Sequence, residues 1–157
     1  MFELSQDRKQ VLIVEFDPQK GRGRVLRTVN MKVPGVLHSG LSADGLTCAL
    51  IPAGEPEIHI SLFSLSGSSD REITVKGWPN ARGLEWSSDG KGFYIGSSSS
   101  NGCTLLYIDL RGNARVLWKN REGGFSWGTW GIPSPDGRYL AIGERVSNSN
   151  VWMVEGF

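Results

Sequence analysis

An all-β fold is what the sequence predicts, and three observations predict it. A tight Asp-Gly turn recurs three times, its aspartates Asp44, Asp89 and Asp136 standing 45 and 47 residues apart. Each turn leads into the same period-two strand, at 46–51, 91–96 and 138–143. No stretch of the chain shows a helical period, and 21 glycines against three methionines suit a turn-rich β protein.

The turn comes first because it sets the register. Gly45, Gly90 and Gly137 take the positive φ that such a turn needs, while Asp44, Asp89 and Asp136 bond to nearby backbone. These six residues therefore have a structural role, since a repeated site would need repeated chemistry around it. After the turn, the fourth residue beyond each aspartate is Cys48, Phe93 or Leu140, and the sixth is Leu50, Ile95 or Ile142. Such alternation marks a half-buried strand.

A second strand recurs at 58–65, 104–110 and 150–154, and shorter ones follow at 72–75 and 115–118. Each unit thus holds four strands, a to d from inner to outer edge. A four-stranded antiparallel unit of about 45 residues is a β-propeller blade. One such sheet cannot bury both faces, so neighbours must stack around a channel. The chain divides into a first-blade remnant at 1–35, blades at 36–79 and 80–125, and a blade at 126–157 lacking its outer strand. That makes about three and a half blades.

The remnant hairpin, 11–16 with 24–28, reads as strands c and d. Phe16 precedes Asp44 by 28 residues, against 24 from Leu65 to Asp89 and 26 from Leu110 to Asp136. An alternative takes Ser5-Gln6-Asp7-Arg8 as a degenerate fourth turn. On the first reading, 24–28 could serve as the d strand of the last blade in a second copy. Two chains would then close a homodimeric ring of six blades.

The turns and strands resemble the TolB-like repeats, relatives of WD repeats whose turn reads Ser-Pro-Asp-Gly. Ser134-Pro135-Asp136-Gly137 matches fully, while Ser88 and Ala43 replace the proline in the other copies. Residues 104–118, 129–141 and 149–157 further resemble the C-terminal propeller of bacterial eukaryotic-like serine/threonine kinases and related sensory proteins. The resemblance implies a non-catalytic ligand- or protein-binding scaffold, the sensory or interaction end of a larger bacterial signalling protein. The chain itself carries no phosphate loop, His-Arg-Asp or Asp-Phe-Gly, so any kinase activity would belong to another segment. An accessory propeller of a prolyl-peptidase-like hydrolase and a self-associating structural module are the alternatives.

Bulk chemistry narrows the partners. A formal net charge of +1 gives no electrostatic case for nucleic acid or an anionic membrane. No apolar run approaches the roughly 20 residues that cross a bilayer, and the N-terminus does not read as a signal peptide. Cys48 and Cys103 lack metal-site spacing, and His38 and His59 have no ligand at such spacing, so no metal or cofactor is expected. No nucleophile elbow exists; Gly40-Leu-Ser-Ala-Asp44 fails at its last position. Lys20, Arg22, Arg24 and Arg27 read as a solvated hairpin tip, and 97–102 as a flexible loop between strands b and c.

Trp86 and Trp152 fall on apolar repeat positions and read as core. Trp78, Arg82, Trp127 and Trp130 lie in or beside the d-to-a connections, which gather at one face around the channel mouth. His38 joins them, because His38 and Trp130 both stand six residues before their turn aspartates. Packing between blades is one reading of these tryptophans; the other follows from the dominance of tryptophan and arginine in binding hot spots, and makes the five residues the expected rim for a protein or peptide partner.

Overall fold

The computed structural model describes residues 1–7, 9–31, 37–67, 69–100, 102–120 and 125–147, with backbone alone at 125–127 and 145–147. Thirteen strands and no helix occur among them. β1 (Phe2–Leu4), β2 (Gln10–Asp17) and β3 (Gly21–Asn30) form a three-stranded sheet. β4 (Leu37–Leu41), β5 (Thr47–Pro52), β6 (Ile58–Ser64) and β7 (Arg71–Val75) form the first four-stranded one. The second is β8 (Ala81–Trp86), β9 (Gly92–Ser99), β10 (Gly102–Asp109) and β11 (Ala114–Lys119). β12 (Phe125–Pro133) pairs with β13 (Leu140–Ser147). All pairs are antiparallel meanders, so the predicted four-stranded blade is the unit of the fold. The strand expected at 150–154, with Trp152, lies outside the described residues.

The repeated turn is a small hydrogen-bond clamp built by its serine as much as by its aspartate. Ser87 Oγ donates to Asp89 Oδ1 (2.7 Å) and accepts from the Gly92 amide (3.0 Å), while the Lys91 amide donates to Asp89 Oδ1 (3.0 Å). Ser42 with Asp44 and Ser134 with Asp136 repeat every bond. The serine hydroxyl comes first in holding all three carboxyls below the usual aspartate range, followed by a backbone amide at Asp44 and Asp89 and by the Arg138 side chain at Asp136.

Ser5 and Asp7 carry the same clamp. Ser5 Oγ donates to Asp7 Oδ1 (2.6 Å), the Lys9 amide donates to Asp7 (3.1 Å), and the Gln10 amide donates to Ser5 Oγ (2.9 Å). The degenerate fourth turn is therefore present, and it joins β1 to β2 as the others join strands a to b. This corrects the reading of the first hairpin: β2 and β3 are strands b and c, not c and d. The gap misled because this sheet is short. Asp7 and Asp44 are 37 residues apart, less than the other repeats by about one short strand and its turn. Residues 24–28 belong to β3, hydrogen-bonded along β2, so they are no spare d strand.

Each sheet has two unequal faces. The leading face carries the fourth and sixth residues after the turn aspartate, and the trailing face carries the fifth and seventh. On β4–β7 the trailing face holds Ala49, Ile51, Ile58 and Ile60, and it packs on leading-face Phe93, Ile95, Leu106 and Ile108 of β8–β11. Phe93, Ile60 and Ile108 are wholly buried there. Each such side chain contributes about 1.5–3 kcal/mol by leaving water. Trp86 completes this layer, its ring 4.4 Å from Phe93 and its Nε1 donating to the Gly40 carbonyl (3.3 Å).

The next junction repeats the rule. The trailing face of β8–β11 receives β12 so closely that a Cβ on Gly96 would collide with the Thr129 carbonyl. Leu105 meets the leading face of β12 at Gly131. The first sheet breaks the rule. Val11 and Arg27, on its leading face, look onto Leu50 and Phe63 of the leading face of β4–β7. A cleft of about 720 Å³ remains between them.

Candidate functional site

Successive sheets converge on their first strands, with β4 packed on β8 and β8 on β12. These strands run from the d-to-a connections toward the clamped turns, so their N-terminal ends form the rim. The connection before β8 is stitched in place there. Asn80 takes a positive φ of 49°, its amide donates to the Glu55 carbonyl (2.8 Å), and its side-chain Nδ2 donates to the Ser98 carbonyl (3.2 Å).

Pairing register shows what these strands have in common. His38 pairs with Ile51, Arg82 with Gly96 and Trp130 with Gly143, and each partner stands seven residues after its turn aspartate. The three residues therefore occupy one equivalent position on three successive inner strands. Counting residues back to the turn matches His38 with Trp130 but puts Gly83 in the middle sheet. A β-bulge between Arg82 and Glu85 adds a residue to β8 and moves Arg82 into line. In the first sheet the corresponding place is held by Met1, which exchanges two backbone bonds with Val14 (2.9 and 2.8 Å).

The surroundings of this row are polar and short of partners. Among the described residues, three buried side-chain atoms make no hydrogen bond: His38 Nε2, Arg82 Nε and Thr129 Oγ1. They belong to β4, β8 and β12, one to each inner strand. Buried polar atoms are nearly always satisfied, which sets these three adjacent strands apart. Burial, and then the charge of Arg82, hold the His38 imidazole below its ordinary pKa, so it is neutral near pH 7.

The Arg82 stem lies on the backbone of β12, where a Cβ on Gly128 would sit 3.2 Å from Arg82 Cβ. Gly128 also has φ 138°, a conformation that favours glycine, next to the bulge between Ser126 and Gly128. Ion pairs among the described residues engage Arg22, Arg24, Arg27, Lys91 and Arg138, and Arg82 is in none of them. Glu85, the carboxylate nearest in register, is pushed up by desolvation alone, with no cation offsetting it.

The remaining predicted residues divide. Trp130 is exposed, with its ring resting on Gly143 and its Cβ against Gly83 of β8. Trp78 is half-buried and packs on the core between the two four-stranded sheets. The Trp127 side chain lies outside the described residues. His59 is held by Thr74 (Nδ1 to Oγ1, 3.2 Å), and Cys48 and Cys103 are buried and unbridged. The expected loop at 97–102 is corrected as well. Ser97 to Ser99 continue β9, because buried Ser97 donates its hydroxyl to the Pro79 carbonyl (2.7 Å) and fixes the rim from below. The basic hairpin is neutralised locally, by Arg22 with Glu3 (2.9 Å) and Arg24 with Glu15 (3.5 Å).

No family model and no curated protein matches the chain. Solved structures do. TolB from Acinetobacter baumannii is similar with a TM-score of 0.65 and 22% identity, over 95% of this chain and 36% of that one. A putative TolB from Agrobacterium tumefaciens is similar at 0.59 and 16%, over 94% and 55%. A structure from an analysis of two prolyl endopeptidases, concerned with inter-domain dynamics, is similar at 0.59 and 19%, over 91% and 24%. The chain thus spans roughly a quarter to a half of each neighbour, and the fold is that of part of a β-propeller.

Proposed function

We propose that this chain is part of a non-catalytic binding propeller whose inner-strand rim, built on His38, Arg82 and Trp130 with Trp78 and Trp127 beside them, takes up a protein or peptide partner. The equivalent register of those three residues carries the reading, because it puts a histidine, an arginine and a tryptophan at one position on three successive inner strands. The fold supports it: antiparallel sheets frame the inner strands, and among the described residues three buried polar atoms on those strands are without hydrogen-bond partners. The sequence resemblance to kinase-appended propellers extends the reading to the interaction end of a larger bacterial signalling protein.

Selection of a displayed random-peptide library on the purified chain tests the rim. Selected peptides should lose about tenfold or more in affinity with Arg82→Ala and with Trp130→Ala, since hot-spot residues each contribute about 1–2 kcal/mol or more. The circular dichroism spectrum should stay that of the parent chain. Peptides that bind both variants with unchanged affinity would place the binding surface elsewhere.

A further inference from the structure

The rim reading leaves the chemistry of the partner open, and the orphaned atoms close that gap. Arg82 brings a permanent positive charge, half-buried and outside every ion pair among the described residues. Its Nε–H points to no acceptor. His38 brings a neutral ring whose buried Nε2 can donate in one tautomer. A neutral imidazole could accept from the guanidinium, yet neither His38 Nε2 nor Arg82 Nε makes a hydrogen bond. Arg82 Nε–H lacks an acceptor, its positive charge asks that the acceptor be negative, and His38 in its Nε2–H tautomer can donate to the same group.

We propose that Arg82 and His38 together bind a carboxylate of the partner, with Trp130 covering the apolar group next to it. This deepens the rim reading and rests on it. A planar guanidinium meets a carboxylate through two parallel N–H···O bonds, which suits a monoanionic, planar group rather than a bare halide. Gly128 leaves the Arg82 stem lying flat on β12, so the fork is held in place rather than waving in solvent. Trp130 stands on the same strand, two residues along, with its ring exposed. A carboxylate with an adjoining apolar or aromatic side chain fills this combination. Either a chain terminus or an acidic side chain supplies that chemistry.

Nuclear magnetic resonance of the ¹⁵N-labelled chain tests this directly, through the Arg82 Nε–H and His38 ring signals. The probes are N-acetyl-phenylalanine, its carboxamide, and N-acetyl-glutamate α-amide with its glutamine counterpart. At least one acid should shift both signals saturably, while the matching amide binds about tenfold more weakly or worse. Arg82→Gln should remove the response of the His38 ring while keeping the spectrum of a folded chain. The stronger acid tells a terminal from a side-chain carboxylate. Equal shifts from acid and amide, or none from either, would overturn the proposal. Library-selected peptides that keep their affinity after every carboxylate is amidated would also overturn it, yet leave the rim standing as a binding surface.

Discussion

Two junctions between neighbouring sheets use the same kinds of residues and pack them in opposite ways. Between β4–β7 and β8–β11 a trailing face meets a leading face. Small trailing residues, Gly40 and Ala49, leave room for the large Leu84, Trp86 and Phe93 opposite, and the layer closes completely. Between β1–β3 and β4–β7 two leading faces meet. Val11 stands against Leu50 and Phe63, large against large, and a cleft of about 720 Å³ stays open. Arg27 spans it, its guanidinium 5.2 Å from the Phe63 ring centroid and donating to the Ser64 carbonyl (3.0 Å) and to Asp70. Apolar strands alone do not close a junction; small residues on one face must stand where the largest side chains of the other arrive.

Breaking the closed junction should cost most. Phe93→Ala empties a wholly buried site and should destabilise by about 3–5 kcal/mol, whereas half-buried Phe63→Ala beside the cleft should cost about 1. Equal losses in urea denaturation would abolish the contrast. Gly96→Ala should follow, at about 1–3 kcal/mol, because the methyl group meets backbone that cannot step aside. Next comes the clamp. Ser87→Ala, at a buried turn, should cost about 1–2 kcal/mol and Ser134→Ala, whose clamp bond is exposed, only a few tenths.

A smaller effect follows from His38. Its pKa is lowered in the folded chain, so the unfolded chain binds the proton more readily. The stability contributed by the neutral ring is present above the unfolded value of about 6.5 and is lost as pH falls through the folded value. Denaturation followed between pH 8 and pH 5 should show that loss in the parent and a flatter profile in His38→Gln. Identical profiles would mean the ring is not held neutral.

Legibility in the sequence followed the strength of local signals. The Asp-Gly turns at 44, 89 and 136 announce themselves through glycine, and the strands that follow them announce themselves through alternation. The turn at Ser5 and Asp7 hid because Arg8 stands where the others have glycine and the spacing to the next turn is shorter. Arg82 was a rim residue by composition, but its alignment with His38 and Trp130 needed the bulge, which no residue count shows. The orientation of the first sheet had no signal at all. Val11-Leu12-Ile13-Val14 is apolar on both faces, so alternation cannot say which one turns toward β4–β7.

That last point makes the most delicate prediction. If the open junction is held chiefly by Arg27, Arg27→Ala should barely move global stability. The guanidinium and Asp70 are both partly exposed, and such a pair with its ring contact contributes about 1 kcal/mol or less after screening. The effect should instead be local. Arg27 reaches across the cleft to Phe63, Ser64 and Asp70, so without it the first sheet should open against a packed partner that stays intact. Amide hydrogen exchange should rise along β2 and β3 while β5, β6, β9 and β10 keep their protection. Raising the salt on the parent chain should reproduce part of that pattern, because screening weakens the same ion pair. Uniform loss of protection across all sheets would mean the first junction is as closed as the second, and the distinction between them would fall.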